Sequence, residues 1–339
     1  MIRALVLGIV QGLTEFLPIS SSAHLSIVPR LLGFQTPTLA FEVLLHFGTL
    51  AAVTAYFARD LWAFLLSLVA PTRLGPSEAR TRRRLLALLA LASVPAAIVG
   101  YLVQDWADTQ TARPLRASIW LVATTAIMIA AELYAKARTP QTVAATSPAA
   151  PSPTSSPQSP TQTDNAGDWP PGAAHRPTVV PGERWAAPGG STPVGGPTPG
   201  GHPPGGLTAE EELERLPAAK AAGIGLAQAL ALVPGTSRSG VTISAGLFEG
   251  ISRETAARFS FLLSIPAILG AGLLKLDDLS GAAETPAELL VGTLAAAISG
   301  FVAVSFLLRM LRTRTLWPFI WYRLVAGSLF VVLLATIRS

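Results

Sequence analysis

The sequence predicts an all-α membrane protein that crosses the bilayer several times. Half of its 339 residues are hydrophobic, only 13% are charged and its mean hydropathy is +0.48, a composition too apolar for an ordinary soluble domain. Continuous Ala, Leu, Val and Ile runs of about 20 residues recur, enough to cross about 30 Å of hydrocarbon. They lack the period-two alternation of strands in a membrane β-barrel, so helices are expected throughout.

Six apolar runs are predicted to span the membrane, three in each half of the chain. They cover residues 40–57, 85–103, 117–136, 256–274, 287–308 and 317–337. Residues 139–207 are instead rich in Pro, Gly, Ser, Thr and Ala, and a segment of that composition cannot bury enough apolar surface to fold. The predicted organisation is a first membrane repeat (1–138), a disordered linker (139–207) and a second membrane repeat (208–339).

Composition also excludes several functions. The sequence contains no cysteine, which rules out disulfides, a thiol nucleophile and thiolate metal sites. Its net charge of +5 comes from basic residues near the ends of the spans, where they set membrane topology. The sequence therefore predicts contact with membrane lipid and not with nucleic acid. Gln11 and Glu15 interrupt the N-terminal apolar stretch, which does not resemble a signal peptide.

A polar motif occurs once in each half. In the first half, residues 8–13 (GIVQGL) precede residues 18–23 (PISSSA); in the second, residues 225–230 (GLAQAL) precede residues 234–239 (PGTSRS). Each motif is followed by three predicted spans, and because three is odd, the two copies must lie in opposite orientations in the bilayer. The sequence therefore predicts an inverted repeat.

Each motif also breaks a helix. Its apolar helix makes only about three turns before Pro18 or Pro234, too few to cross the hydrocarbon. We expect each half to contain a re-entrant helix pair in addition to its three spans. Broken backbone at membrane depth is tolerated only where it lines a cavity or is buried in protein. Both breaks are therefore expected to meet near the membrane midplane.

Loop charge predicts the orientation of the repeats. Lys and Arg in short loops favour the cytoplasm, and the loops after the first and fifth spans are rich in arginine, at positions 59, 73, 80, 82, 83 and 84 and at 309, 312 and 314. The loop at 275–288 carries four acidic residues against one lysine and is expected outside. The linker is then cytoplasmic, and the polar site is expected to open to the outer face.

The first motif concentrates groups suited to proton transfer and nucleophilic attack. Gln11 and Glu15 are four residues apart, so they share one helix face, and three serines at 20–22 and His24 follow the break. The serines could alternatively cap the next helix, and His24 could be a hydrogen-bonded core residue. Because ionisable groups inside a membrane are costly and are usually functional, we favour a functional site.

The second motif has the composition of a phosphate-binding site. Residues 234–240 (PGTSRSG) combine two glycines, three hydroxyl groups and the guanidinium of Arg238. Backbone N–H groups at the start of a helix attract anions, and arginine can hold phosphate oxygens through two parallel hydrogen bonds. A lone arginine often snorkels to the membrane surface, but Arg238 has apolar or small residues on both sides. His46, in the first predicted span, is interpreted either as a second partner of the site or as a packing residue.

Residues 11–24 (QGLTEFLPISSSAH) and residues 234–240 together resemble the motifs of the undecaprenyl-diphosphate phosphatase family, also called the bacitracin-resistance protein family. The likeness covers both halves of the chain and leaves out the linker. It implies hydrolysis of an isoprenoid lipid diphosphate, undecaprenyl diphosphate, in the bacterial cell membrane, which recycles the lipid carrier of cell-wall synthesis. It also implies a divalent cation, Mg²⁺ or Ca²⁺, which we expect to arrive with the substrate and to contact Glu15.

Residue chemistry and resemblance together assign roles within the two motifs. Arg238 is expected to neutralise charge on the transferred phosphoryl group, and Glu15 and His24 to move protons. Ser21 is expected to act as nucleophile or to position water, and the sequence leaves both open. The substrate-binding residues are expected to be Gln11, Ser20, Ser22, Gly235, Thr236, Ser237 and Ser239.

Two other functions compete with a phosphatase. A transporter or lipid-carrier flippase would share the inverted repeat and the broken helices, but it would not need a nucleophile or an acid-base pair. A structural scaffold would leave the convergent polar groups without a purpose. The sequence also leaves open whether the chain forms a homo-oligomer.

Overall fold

The fold is that of a computed structural model, which describes residues 1–111, 113–138, 207–277, 281 and 283–336. Every regular element in these residues is helical, so the predicted all-α class is confirmed. The predicted linker lies outside the described residues apart from its last position, Leu207. Both membrane halves belong to one compact unit.

Thirteen α-helices make up the described part of the chain. Those of the first half are α1 Ile2–Phe16, α2 Ser21–Leu31, α3 Leu39–Tyr56, α4 Ala58–Val69, α5 Pro76–Thr111, α6 Pro114–Ala123 and α7 Thr125–Arg138. Those of the second half are α8 Ala209–Glu214, α9 Ala218–Ala229, α10 Arg238–Phe248, α11 Arg253–Leu274, α12 Pro286–Leu311 and α13 Trp317–Thr336. Short 3₁₀ turns follow α4 and α9.

Six segments are long and apolar enough to cross a bilayer, by length and composition. They are Leu39–Tyr56, Pro76–Val103, Pro114–Arg138, Arg253–Leu274, Pro286–Leu311 and Trp317–Thr336. Each contains most or all of one predicted span, so all six predicted spans are confirmed. The third is formed by α6 and α7 together, which are separated by Thr124. The opposite orientation of the two halves in the membrane stays a prediction.

Both motifs break their helix as expected and form a pair of short helices. α1 ends two residues before Pro18, since the residue preceding a proline disfavours helical backbone, and Ser20 then takes a positive φ of 73°. In the second half, Gly235 between α9 and α10 has a φ of 95°. A Cβ there would lie 2.1 Å from the carbonyl oxygen of Ala117, so both the backbone angle and the close approach require glycine.

The first short helix of each pair packs against a span of the opposite half. A Cβ at Gly8 in α1 would lie 2.3 Å from the carbonyl oxygen of Gly292 in α12. The glycine at the same motif position, Gly225 in α9, is equally close to the carbonyl oxygen of Ala92 in α5. Small residues allow such close approach between membrane helices. Because each short helix packs on a span of the opposite half, the two broken segments come together. They are joined by a hydrogen bond from Gly235 N to Ser22 Oγ at 3.1 Å.

Candidate active site

Glu15 is the centre of a hydrogen-bonded cluster built from both halves. Its Oε2 accepts from Ser21 Oγ at 2.6 Å and from Gln11 Nε2 at 3.2 Å, while its Oε1 lies 3.2 Å from Nη2 of Arg238. The side chain of Glu15 is only 8% exposed. A buried carboxylate needs such partners, because an unpaired buried charge is strongly unfavourable.

The chain geometry explains why these groups meet. Gln11 lies one helical turn before Glu15 on the same face of α1, and the break after Phe16 turns the chain so that Ser21, the first residue of α2, faces back towards Glu15. Arg238 is the first residue of α10, and its Nη1 also donates to the carbonyl oxygen of Ser260 at 3.3 Å. The predicted convergence of Glu15, Ser21 and Arg238 is therefore present in the structure.

The cluster forms the polar end of a cavity of about 820 Å³. Most of the polar lining comes from both motifs and from α3, namely Thr14, Glu15, Ser20, Ser21, Ser22, Glu42, His46, Thr236, Ser237 and Arg238, and the rest is Ser93, Tyr101, Gln228 and Lys275. Much of the remaining lining is apolar and comes from α5 and α11, namely Ala96, Ala97, Gly100, Val103, Pro266, Ala267, Ile268, Ala271 and Leu273. A cavity of this kind suits a ligand with an anionic head and a hydrocarbon tail.

Two helices begin at the polar end of the cavity. The first N–H groups of a helix have no partner within it and carry partial positive charge, and α2 and α10 begin at Ser21 and Arg238, which both line the cavity. These starts add to the charge of Arg238. An anion, phosphate above all, is the ligand that such an arrangement attracts.

The amide cradle predicted for the second motif is smaller than expected. Gly235 N donates to Ser22 Oγ, and Thr236 N donates to the carbonyl oxygen of Val233 at 3.0 Å. Ser237 Oγ caps α10 by accepting from Gly240 N at 3.1 Å. Gly235 therefore connects the two motifs through its N–H group, and Thr236 and Ser237 face the cavity chiefly through their side chains.

The three serines of the first motif do not cap α2 through their side chains. Ser20 is the N-cap residue but makes no side-chain cap hydrogen bond, and its Oγ instead lies 3.2 Å from Ser22 Oγ. Its positive φ is costly for a residue other than glycine, and such strain is typical of functional sites. The N-capping interpretation of the serines is therefore wrong, since they line the cavity and contact Glu15 and Gly235.

Three predicted substrate-binding residues do not line the cavity, namely Gly235, whose N–H group binds Ser22, and the two polar residues Gln11 and Ser239. Gln11 is fully buried and directs Nε2 to Glu15, so it positions the carboxylate. Ser239 is also fully buried, and its Oγ lies 3.2 Å from Ser237 Oγ. Both residues support cavity-lining side chains.

The structure corrects the predicted placement of His24. Its Nδ1 lies 2.7 Å from the carbonyl oxygen of Ser20, and its Nε2 lies 2.7 Å from the hydroxyl of Tyr322. Because a carbonyl oxygen only accepts, Nδ1 carries the hydrogen and Nε2 accepts from Tyr322. His24 is thus buried in the turn that follows Pro18, held by α13, and lies outside the cavity lining.

His46 occupies the position beside Glu15 that was expected of His24. Its Nε2 lies 3.7 Å from Glu15 Oε2, and its side chain is 37% exposed. Its Nδ1 donates to the carbonyl oxygen of Glu42 at 2.8 Å, so Nε2 is the nitrogen free to exchange a proton towards the cavity. The sequence signal was a histidine four residues after a carboxylate within an apolar span.

Arg323 is a supporting residue that sequence motifs did not reveal. It is 1% exposed and donates to the carbonyl oxygens of Pro18 at 3.3 Å and Leu121 at 2.8 Å. Its Nε also donates to Thr125 Oγ1 at 2.8 Å. Arg323 therefore fixes the break of the first motif from the opposite half. An arginine inside an apolar span was the only signal for it.

The residues around Glu15 do not form a resident metal site. Both of its oxygens already accept hydrogen bonds, and a guanidinium lies beside one of them. Within the described residues, no group of three His, Asp or Glu side chains is placed to hold a metal ion. A hard divalent cation prefers six or more oxygen ligands, so the protein alone does not fit the predicted binding at Glu15.

Within its described residues, the structure has six segments long and apolar enough to cross a bilayer, and a cavity that joins an acid, an alcohol and an arginine to an apolar wall. These features define an integral membrane protein with a site suited to an amphipathic phosphate compound. Comparison with known proteins narrows this class. The chain belongs to the bacitracin resistance protein BacA family, whose model matches residues 4–150 and 203–329.

Similar proteins from three bacteria carry the name undecaprenyl-diphosphatase. The protein from Pelotomaculum thermopropionicum is 38% identical over 98% of this chain and 96% of its own length. That from Geobacter sulfurreducens is 38% identical over 96% and 95%, and that from Nocardioides sp. is 33% identical over 99% and 97%. The predicted family is therefore confirmed.

Proposed function

We propose that the protein hydrolyses undecaprenyl diphosphate to undecaprenyl phosphate and inorganic phosphate. The observation that carries this proposal is the contact of Ser21 Oγ with Glu15 Oε2 at 2.6 Å, beside Arg238, at the polar end of a cavity with an apolar wall. A nucleophile within hydrogen-bond reach of a base is typical of covalent catalysis. Such a pair of nucleophile and base has no purpose in a transporter or lipid-carrier flippase. The names of the relatives do not favour that alternative either.

The diphosphate occupies the polar end and the prenyl chain follows the apolar wall formed by α5 and α11. Its terminal phosphate lies against Arg238 and the starts of α2 and α10, where fixed positive charge is already in place. Such preorganised charge stabilises the negative charge that develops on a transferred phosphoryl group.

In the first step, Ser21 gives its proton to Glu15 Oε2 and its Oγ attacks the terminal phosphorus. The bond between that phosphorus and the bridging oxygen breaks, and undecaprenyl phosphate leaves with the bonding electrons. The phosphoryl group stays on Ser21. Gln11 holds the carboxylate of Glu15 in position for this transfer.

In the second step, water attacks the phosphorus of the phosphoserine. The bond to Ser21 Oγ breaks and Oγ recovers its proton from Glu15, while one hydrogen of the water passes to Nε2 of His46. Inorganic phosphate then leaves, and His46 returns its proton to solvent through the cavity. His46 takes this role, and not His24, because the ring nitrogens of His24 are engaged by the carbonyl oxygen of Ser20 and the hydroxyl of Tyr322.

A divalent cation, Mg²⁺ or Ca²⁺, would arrive with the diphosphate and would supply positive charge for its phosphate oxygens, with Glu15 as the nearest carboxylate. The residues described above perform their steps without serving as a metal site. Chelation should then weaken turnover in proportion to free cation without lowering the thermal stability of the substrate-free protein.

The site opens to the outer face of the bacterial cell membrane. The arginine-rich loops after the first and fifth spans support this orientation through the preference of basic loops for the cytoplasm. There the reaction recycles the lipid carrier of cell-wall synthesis and counters bacitracin.

The test is phosphate release by purified protein in detergent from a soluble short-chain prenyl diphosphate. Release that depends on protein concentration and is lost in Glu15→Ala supports the proposal. No release above background, from protein with a cooperative thermal transition and with the cation supplied, would favour transport.

A further inference from the structure

Gln228 is a buried amide that the proposed reaction leaves unused. It lies in the last turn of α9, is 3% exposed and lines the same cavity as Glu15 and Arg238. Neither its Nε2 nor its Oε1 has a hydrogen-bond partner among the described residues. A buried polar group without a partner is costly, so its retention in a cavity wall calls for a ligand.

The repeat explains why this amide has no hydrogen-bond partner among the described residues. Gln228 stands at the motif position of Gln11, whose Nε2 binds the carboxylate four residues further on, Glu15. Four residues after Gln228 the second half has Leu232, which also lines the cavity. Gln11 therefore binds a carboxylate of the protein, whereas Gln228 lies in the cavity wall with no carboxylate at the corresponding position.

The position of Gln228 is fixed by close helix packing. A Cβ at Gly225, one turn earlier in α9, would lie 2.3 Å from the carbonyl oxygen of Ala92 in α5. On the other side of Gln228, Leu232 reaches to within 3.5 Å of a Cβ placed on Gly100, and Gly100 belongs to the apolar wall. Gln228 thus lies along α5 where the apolar wall begins, on a helix that cannot shift easily.

We propose that Nε2 of Gln228 donates a hydrogen bond to the phosphate group that remains attached to the prenyl chain. This inference rests on the proposed function and names a further substrate contact for it. Arg238 and Ser21 hold the phosphoryl group that is transferred, and Gln228 holds the one that stays. An uncharged amide suits that role because it binds substrate and lipid product without trapping the product by charge.

The test is Gln228→Leu, which keeps the size of the side chain and removes its polar atoms. We expect KM for a short-chain prenyl diphosphate to rise about tenfold, the loss of one hydrogen bond to a charged group, with kcat within about threefold. The inhibition constant of the prenyl monophosphate should rise by a similar factor. The substrate-free variant should unfold at the same or a higher temperature, because an unpaired buried amide has been removed.

Ser244→Ala is the matched control, since Ser244 Oγ is also buried and has no hydrogen-bond partner in the part of the chain that the structure describes, but lies outside the cavity lining. It should keep the wild-type KM. A KM within twofold of wild type in Gln228→Leu would overturn the inference. A raised KM with an unchanged inhibition constant for the prenyl monophosphate would also overturn it. A raised KM accompanied by a lower unfolding temperature would assign Gln228 a structural role instead. An inactive wild-type protein would refute the proposed function itself. In that case the rise in unfolding temperature caused by a non-hydrolysable prenyl diphosphonate, compared between wild type and Gln228→Leu, tests the role of Gln228 in binding alone.

Discussion

Nη2 of Arg238 lies 3.2 Å from Oε1 of Glu15, so one half of the chain supplies the cation that neutralises the carboxylate buried by the other. Both side chains are largely shielded, at 13% and 8% exposure. The pair has two consequences: it stabilises the contact between the halves, and it keeps Glu15 ionised next to Ser21.

The first prediction separates these two consequences. Removing one partner of a buried ion pair leaves an uncompensated charge and typically costs about 3–5 kcal/mol. Arg238→Gln and Glu15→Gln should each lower the thermal unfolding temperature in detergent and abolish phosphate release. The double variant should recover much of the stability, since neither charge remains, but none of the activity.

Near-normal turnover in either single variant would refute the assignment of this pair to the active site. A double variant as unstable as the sum of the two single variants would show that the side chains do not stabilise each other.

The second prediction concerns Ser21 as nucleophile. Ser21→Ala should lower kcat at least about 100-fold, because the residue that accepts the phosphoryl group is lost. Ser26→Ala is the control, since Ser26 lies on the same helix and donates only to the carbonyl oxygen of Ala23. Acid quenching of wild type with substrate labelled on the terminal phosphate should give label on the peptide that contains Ser21. If the protein turns over substrate rapidly but carries no label after the quench, water attacks the terminal phosphorus directly and Ser21 is not the nucleophile.

The third prediction distinguishes the two histidines. His46→Gln should lower kcat by about 10–100-fold, because general acid-base catalysis contributes a factor of this order or larger. His24→Gln should act through the turn that follows Pro18. It should lower thermal stability, and Tyr322→Phe should lower it by about 1 kcal/mol through loss of one hydrogen bond. Wild-type kcat in His46→Gln, together with a large loss of kcat in a His24→Gln variant of unchanged stability, would reverse the two roles.

Most of the fold could be predicted because membrane helices are specified locally. Apolar length alone gives the six spans, and Pro18 and Pro234 mark helix ends because the residue before a proline disfavours helical backbone. The meeting of Glu15 with Arg238 followed from a less local argument, in which two helix breaks at membrane depth must be buried in protein or line a cavity and therefore meet near the midplane. These predictions required no knowledge of how the helices rotate about their axes.

The choice between His24 and His46 depended on that rotation and could not be made from the sequence. The ring of His24 meets Tyr322, which lies 298 positions away in the chain, and this contact directs it away from Glu15. Gln11 and Gln228 match in the motifs, and the sequence shows that Glu15 follows one and Leu232 the other, but it does not show that only Gln228 lines the cavity. Rotation and partner choice are tertiary properties, so the motifs gave the residue types of the site but not all of its members.

The fourth prediction is a pH dependence at Glu284, which lies outside the membrane-spanning segments. Burial raises the pKa of this carboxyl, but hydrogen bonds from the hydroxyl and N–H of Thr38 and the charge of Arg3 lower it more, so its pKa lies below the ordinary value of 4.5. A lowered pKa in the folded state contributes stability above pH 4.5, and this contribution is lost as pH falls through the folded-state value. Glu284→Gln should therefore be less stable than wild type at pH 7, and this difference should shrink as the pH falls below 4.5. Thermal unfolding of both proteins across this pH range is the measurement, and a constant difference would contradict the assignment.

The fifth prediction tests whether Arg323 holds the first motif in its broken conformation. Its guanidinium reaches the carbonyl oxygens of Pro18 and Leu121 and the hydroxyls of Thr124 and Thr125 at once, a geometry that depends on its planar fork of donors. Lysine keeps the charge but has a single nitrogen with three hydrogens, so Arg323→Lys must leave buried acceptors unpaired at a cost of about 2 kcal/mol or more. We expect a lower unfolding temperature and a lower kcat, because release of the Pro18 carbonyl allows Ser21 to move from Glu15. Arg309→Lys, at an exposed position of α12, should change neither. Wild-type stability and turnover in Arg323→Lys would mean that packing alone, without these hydrogen bonds, keeps Ser21 at Glu15.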